Sequence, residues 1–245
     1  MTGTEDWPPA VEILNAAGSS DILLLCEHAS NHIPPEYHGL GLPPQDLSRH
    51  IAWDPGAAAV TRAVSRLLDA PAYLGTYSRL LIDLNRPLNT SGSIVLRSED
   101  TMIPGNLAIS EAEARQRADR IFTPFHQAVS AALDRRQSAG QATRLVSVHS
   151  FTPVFLSEVR PWQAGILFDD AKAFGEALVV ALRKSGLTVG ANVPYKAGRT
   201  EDYAIPIHGD DRSIPAVLVE IRQDLIGNEK NVTGWAERLV EALSY

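Results

Sequence analysis

The sequence predicts a three-layer α/β/α fold around a mixed, mainly parallel sheet, on three observations. Apolar runs of strand length, over residues 21–26, 144–148 and 216–221, alternate along the chain with longer segments of helical periodicity. The runs are apolar at successive positions, the pattern of strands buried on both faces by covering helices. No internal repeat or linker-like stretch breaks the alternation, so residues 1–245 are read as one domain.

The elements follow in order. Residues 1–20 form an entry segment, 21–26 the first strand, and a Pro/Gly-rich loop runs on through Pro44. Asp54-Pro55-Gly56 opens a helix with Asp54 at the N-cap and Pro55 at the first helical position, where its missing N–H is no loss. Val60, Val64, Leu67 and Leu68 then recur at helical spacing until Asp69-Ala70-Pro71. Two β-like runs, 72–76 and 79–84, precede a turn-rich loop over 85–92. Ser110 and Glu113 have capping-box spacing at the head of a helix reaching Gln137, which Pro124 should kink or divide. After the strand at 144–148, residues 164–168 predict another, and Asp169-Asp170 lead into a helix that Gly186 stops. Strands at 187–190 and 216–221 and an amphipathic helix over 233–243, carrying Trp235, Leu239, Val240 and Leu243, complete the chain.

Composition narrows the function classes. Hydrophobic residues are 44% and charged residues 21%, ordinary globular values, and a net charge of -7 argues against nonspecific nucleic-acid binding. An anionic small-molecule substrate would therefore need a local basic pocket. The single cysteine allows no internal disulfide, and MTGTEDWPPA lacks the charged and apolar regions of a signal peptide, so a cytoplasmic location is expected. No apolar run approaches the ~20 residues that cross a bilayer, and no membrane association is expected.

The chemistry concentrates where strands end, because ligands of open α/β sheets sit beyond the carboxyl ends of the strands. His28 follows the first strand by two residues and His149 caps the strand ending in Val148, so the two imidazoles suggest a shared metal site. Glu27, Asn31 and Asp54 all lie within reach as a third ligand; Glu27 points to the opposite face if the strand continues, and Asp54 is also an N-cap on chemical grounds. Arg79, Asp83 and Asn85 share one face of a predicted strand with Arg86 beyond it, which suits either carboxylate binding or a structural Arg/Asp network. Glu220 and Arg222 are one pleat apart. Glu220 emerging from an apolar strand is a candidate general base, with Arg222 beside it as a substrate contact or as its simple partner. His208, in a Gly/Asp loop, is a further pocket candidate or a surface histidine. Cys26 continues an apolar strand and reads as buried rather than nucleophilic.

Taken together, the segments Cys26-Glu-His-Ala-Ser-Asn-His-Ile-Pro, Trp53-Asp-Pro-Gly-Ala, Tyr77-Ser-Arg-Leu-Leu-Ile-Asp-Leu-Asn-Arg-Pro, His149-Ser-Phe-Thr-Pro and Glu220-Ile-Arg-Gln-Asp-Leu-Ile resemble the N-formylglutamate amidohydrolase family. The resemblance spans residues 26–226, in order. It implies kinship with zinc carboxypeptidases and aspartoacylases, their phosphorylase/hydrolase-like fold, and hydrolysis of an N-formyl or N-acyl amide on an acidic amino acid. The same likeness implies zinc on His28 and His149, the Asn85-Arg86 pair holding a substrate carboxylate, Arg79 polarising the scissile carbonyl, and Glu220 as general base. One departure stands out: the relatives carry Glu three residues after the first metal His, and here that residue is Asn31, so Asp54 is expected to complete a His28, Asp54, His149 site.

Overall fold

Every residue of Ile22–Cys26 is buried, and parity divides them: Ile22, Leu24 and Cys26 join one apolar cluster, Leu23 and Leu25 another. A strand of period two satisfies both only if helices cover both faces of its sheet. The computed structural model, which describes residues 7–196 and 198–244, contains that sheet. Its seven strands are β1 (Val11–Leu14), β2 (Ile22–Cys26), β3 (Ala72–Gly75), β4 (Arg144–Phe151), β5 (Ala164–Leu167), β6 (Val189–Ala191) and β7 (Ala216–Arg222). They lie in the order β1-β3-β2-β4-β7-β5-β6, and four of the six pairings are parallel; β1 against β3 and β5 against β7 are antiparallel. The mixed, mainly parallel sheet is as expected.

The helices are α1 (Pro44–Leu47), α2 (Ala57–Leu68), α3 (Glu111–Arg117), α4 (Thr123–Ser138), α5 (Lys172–Lys184) and α6 (Glu229–Leu243). Val60 and Val64 of α2, Leu178 and Leu182 of α5, and Trp235 and Leu239 of α6 pack with Leu24, Val146 and Val219 on one face. Phe125, Val129 and Leu133 of α4 pack with Leu23, Leu145 and Leu218 on the other. Among the described residues no helix is long and apolar enough to cross a membrane.

Several local expectations need correction. The run at 79–84 is not a strand: Tyr77 to Asn85 form successive buried turns. Their backbone groups are satisfied from outside, since Asn106 Nδ2 donates to Leu80 O at 2.9 Å and Arg117 Nη1 to Leu81 O at 3.1 Å, so no neighbouring strand is needed. β4 runs three residues past Val148 to Phe151, which places His149 within the strand. Ahead of Pro124, residues Ala118–Phe122 form a π-turn between α3 and α4, a local widening that accommodates the proline without ending the helix. α6 starts at Glu229, where the Asn228 side chain accepts from Asn231 N, and β1 adds an edge strand within the entry segment.

Candidate functional site

The parallel register of β4 and β7 sets Glu220 directly beside His149. Along β4, Leu145, Ser147 and His149 share a face, and along β7 so do Ala216, Leu218 and Glu220. The strand ends therefore deliver an imidazole and a carboxyl, side by side, into a cavity of about 290 Å³ also lined by His28, Asp54, Arg79 and Asn85. Glu27 follows β2 with the parity of Leu23 and Leu25, and its Oε2 lies 3.0 Å from His149 Nε2.

Asp54 reaches the same point for a different local reason. It does not cap α2 with its side chain; Gly56 precedes the helix in a left-handed conformation (φ 84°). A Cβ on Gly56 would meet Ile226 at 2.7 Å, so the tight Asp-Pro-Gly turn requires glycine. That turn leaves the Asp54 carboxylate free to face inward, where Oδ2 accepts from Ser150 N at 3.2 Å, lies 2.8 Å from His149 Nδ1 and 3.4 Å from His28 Nδ1. The N-cap assignment of Asp54 is thus corrected by its geometry.

His28, Asp54 and His149 each offer one ligand atom within 4.8 Å of the others and could hold a metal ion. The donor chemistry fits such an ion. Both imidazoles present Nδ1 toward Asp54, and both back their Nε2 onto a buried carboxylate: Asp83 Oδ1 at 2.7 Å behind His28, and Glu27 Oε2 at 3.0 Å behind His149. A carboxylate on the far nitrogen fixes the ring's tautomer and orientation and raises its basicity as a ligand. Asn31 is not part of this arrangement, because its side chain donates to Leu47 O at 2.9 Å. Of the three candidates for third ligand, only Asp54 converges with both Nδ1 atoms.

The charges are strongly interdependent. Burial opposes ionisation of Asp54, but His28 and His149 hold its carboxyl far below the usual carboxylate range. Burial also opposes charging of His149, yet its hydrogen bonds to Asp54 and Glu27 hold it well above the ordinary imidazole value. Arg79 donates through Nε and Nη2 to Asp83 Oδ2 at 3.0 and 2.6 Å and lies 3.4 Å from Asp54 Oδ1. Despite burial, Arg79 and His28 keep Asp83 well below its normal value. Glu220 behaves in the opposite way. Burial pushes its carboxyl up to about 7, and its buried Oε2 has no hydrogen-bond partner among the described residues.

Comparison with known proteins bears on this geometry. A family model for N-formylglutamate amidohydrolase matches residues 20–227. The chain belongs to the N-formylglutamate amidohydrolase family. It is similar to the gene product Atu2144 from Agrobacterium tumefaciens, with 38% identity, a TM-score of 0.93, and coverage of 97% of this chain and 96% of that one. N-formylglutamate amidohydrolase from Ralstonia eutropha JMP134 shares the fold at 18% identity, with a TM-score of 0.71 and 96% of each chain covered. No functionally curated protein matches the chain.

Within this amidohydrolase-family cavity, the structure brings together His28, Asp54, Arg79, Asn85, Arg86, His149 and Glu220. Two predicted contacts do not line it. Arg222 turns to Asp224, donating from Nε at 2.8 Å and Nη2 at 3.3 Å, because the short turn after β7 brings that carboxylate alongside. His208 is buried in the π-turn Ala204–Gly209, with Nε2 2.9 Å from His126 Nδ1. Cys26 is fully buried, and burial pushes its thiol well above its ordinary value.

Two residues named in the sequence take roles other than those considered for them, and two residues not named there also shape the site. Asp83, read from the sequence as part of an Arg/Asp face, and Glu27, read as a candidate third ligand, back the two imidazoles. The Arg79–Asp83 spacing signals the first pairing, whereas the Glu27–His149 contact is legible only once β2 and β4 are paired. Tyr195 lines the cavity, with its hydroxyl accepting from Arg160 Nη1 at 2.8 Å, and Asp202 reaches it from a distant segment. Neither Tyr195 nor Asp202 carries a local sequence signal.

Proposed function

We propose that the protein is a zinc-dependent amidohydrolase that cleaves the N-formyl or N-acyl amide of an acidic amino acid, with N-formyl-L-glutamate and water giving formate and L-glutamate. His28, Asp54 and His149 would hold the ion. When bound there, zinc supplies a Lewis acid that acidifies water and polarises a carbonyl oxygen.

The observation that carries the reading is Glu220: a carboxyl beside His149, without a hydrogen-bond partner at Oε2 among the described residues, and poised by burial near neutral pH. A base so placed takes a proton from the attacking water and returns it to the departing amine nitrogen, and a value near the working pH serves both transfers. Arg79 keeps a guanidinium at the cavity wall to steady negative charge on the former carbonyl oxygen. Asn85 and Arg86 anchor the substrate's carboxylate, an orientation that presents the amide to Glu220. Hydrolysis breaks the C–N bond, the water oxygen joins the acyl carbon, and the amine leaves carrying the proton Glu220 returned.

The test is formate release from N-formyl-L-glutamate, with and without a chelator, for the wild type and Glu220→Gln. The expected result is chelator-sensitive turnover in the wild type and a loss on the order of a hundredfold or more in Glu220→Gln with zinc content retained. Near wild-type turnover by Glu220→Gln would remove the assigned base, and turnover indifferent to the chelator would remove the metal.

A further inference from the structure

The Asn85–Arg86 pair already holds a carboxylate, and it belongs to the chain. Asp202 Oδ1 accepts from Arg86 Nη1 at 3.0 Å and from Asn85 Nδ2 at 3.2 Å, while Oδ2 accepts from Gly198 N at 3.0 Å. The surrounding segment is gripped by the same two side chains. Arg86 Nη1 donates to Glu201 O at 2.7 Å, and Asn85 Oδ1 accepts from Tyr203 N and Ala204 N at 3.2 and 2.9 Å. Asp202 lines the cavity together with Arg86, Asn85 and the His28, Asp54, His149 cluster.

We propose that Asp202 is a specificity-determining residue, an internal carboxylate that competes with the substrate's carboxylate for Arg86 and Asn85. The inference rests on the reading of Asn85 and Arg86 as the substrate's anchor. A guanidinium and an amide bind one carboxylate well, and a second anion brought beside Asp202 meets repulsion instead of a partner. An acidic substrate that takes Arg86 Nη1 together with Asn85 Nδ2, the donors Asp202 holds, must therefore displace Asp202 before it binds. Burial raises the Asp202 carboxyl more than the Arg86 guanidinium and the Gly198 N–H lower it. When only a fraction of molecules has the seat free, the apparent affinity falls by that fraction; a free population of about one tenth weakens acidic ligands about tenfold.

The experiment compares wild type with Asp202→Asn and Asp202→Ser. KM for N-formyl-L-glutamate is read by formate release, and glutarate binding is read by calorimetry on the same zinc-loaded preparations. Supporting results are a KM and a glutarate Kd both lowered about tenfold in the variants, with the gain cancelled when Arg86→Gln is added. Unchanged or weaker binding in both variants would make Asp202 a structural tie and overturn the proposal, as would a gain that survives Arg86→Gln. Two variants guard against a folding failure in either one. Because glutarate binding needs no turnover, tighter binding in an enzyme that releases no formate would sink the proposed reaction and leave this inference standing. Turnover with unaltered KM and Kd would do the reverse.

Discussion

Replacing Glu27 by Gln tests whether the carboxylates behind the imidazoles tune a metal site. Glu27 is fully buried, and its Oε2 lies 3.0 Å from His149 Nε2 and accepts from Ser147 Oγ at 2.6 Å. Gln keeps the shape and one acceptor oxygen but removes the negative charge, so a charge-assisted hydrogen bond becomes a neutral one, a loss of about 1–2 kcal/mol. The new amide N–H₂ also falls where Oε1 is buried without a partner among the described residues. With less electron density drawn onto the ring and a looser tautomer, metal affinity should drop roughly fivefold to thirtyfold, overlapping the ~10–100-fold typical of such outer partners. Competition with a chromophoric chelator at fixed pH measures it. Ser147→Ala is the control: it removes a hydrogen bond and leaves the charge, so its effect should be the smaller. A Glu27→Gln affinity within about threefold of wild type, or an equal loss in Ser147→Ala, would refute the reasoning.

Two further outcomes follow from the same packing. His126 donates from Nε2 to Leu84 O at 2.8 Å and meets His208 through Nδ1, and burial pushes the two imidazoles down to about 3 and about 4 respectively. Both folded values lie below the unfolded value of ~6.5, so the unfolded chain binds more protons, and stability present above that pH is lost as pH falls toward 4. Denaturant titrations at neutral pH and at about pH 4 should show a contribution on the order of 3 kcal/mol from each imidazole, and His208→Phe should remove the His208 share; an unaltered pH slope in that variant would contradict it. Gly56→Ala forces a side chain into a left-handed residue against Ile226, at a cost of roughly 2–3 kcal/mol, and tilts Asp54 away from His149. The melting temperature and the affinity for added divalent metal should both fall, and wild-type values for both would show that the turn is not constrained as described.

The sequence by itself determined what had to be buried and where polar chemistry had to emerge. Apolar runs of strand length required a doubly covered sheet, and β2, β4 and β7 follow them. His28, His149 and Glu220 stand at or near the ends of those runs, so their convergence was legible without coordinates. Even the corrected boundary of β4 preserves this, since adding three residues only converts His149 from a cap into the register partner of Glu220.

Tertiary structure alone decided the rest, because those contacts join residues whose separation leaves no periodic trace. The turns from Tyr77 to Asn85 imitate a strand in composition, yet Asn106 and Arg117 satisfy their carbonyls from far along the chain. Asp54 is already the expected third ligand; what folding added is its geometry, set by the left-handed Gly56, and the neighbours that engage Glu27 and Asn31 elsewhere. Asp202 finds Arg86 across more than a hundred residues, and only a formed cavity brings them together. Burial is dictated locally by periodicity, whereas the pairing of buried charges is settled by whichever partners the finished packing places within hydrogen-bond reach.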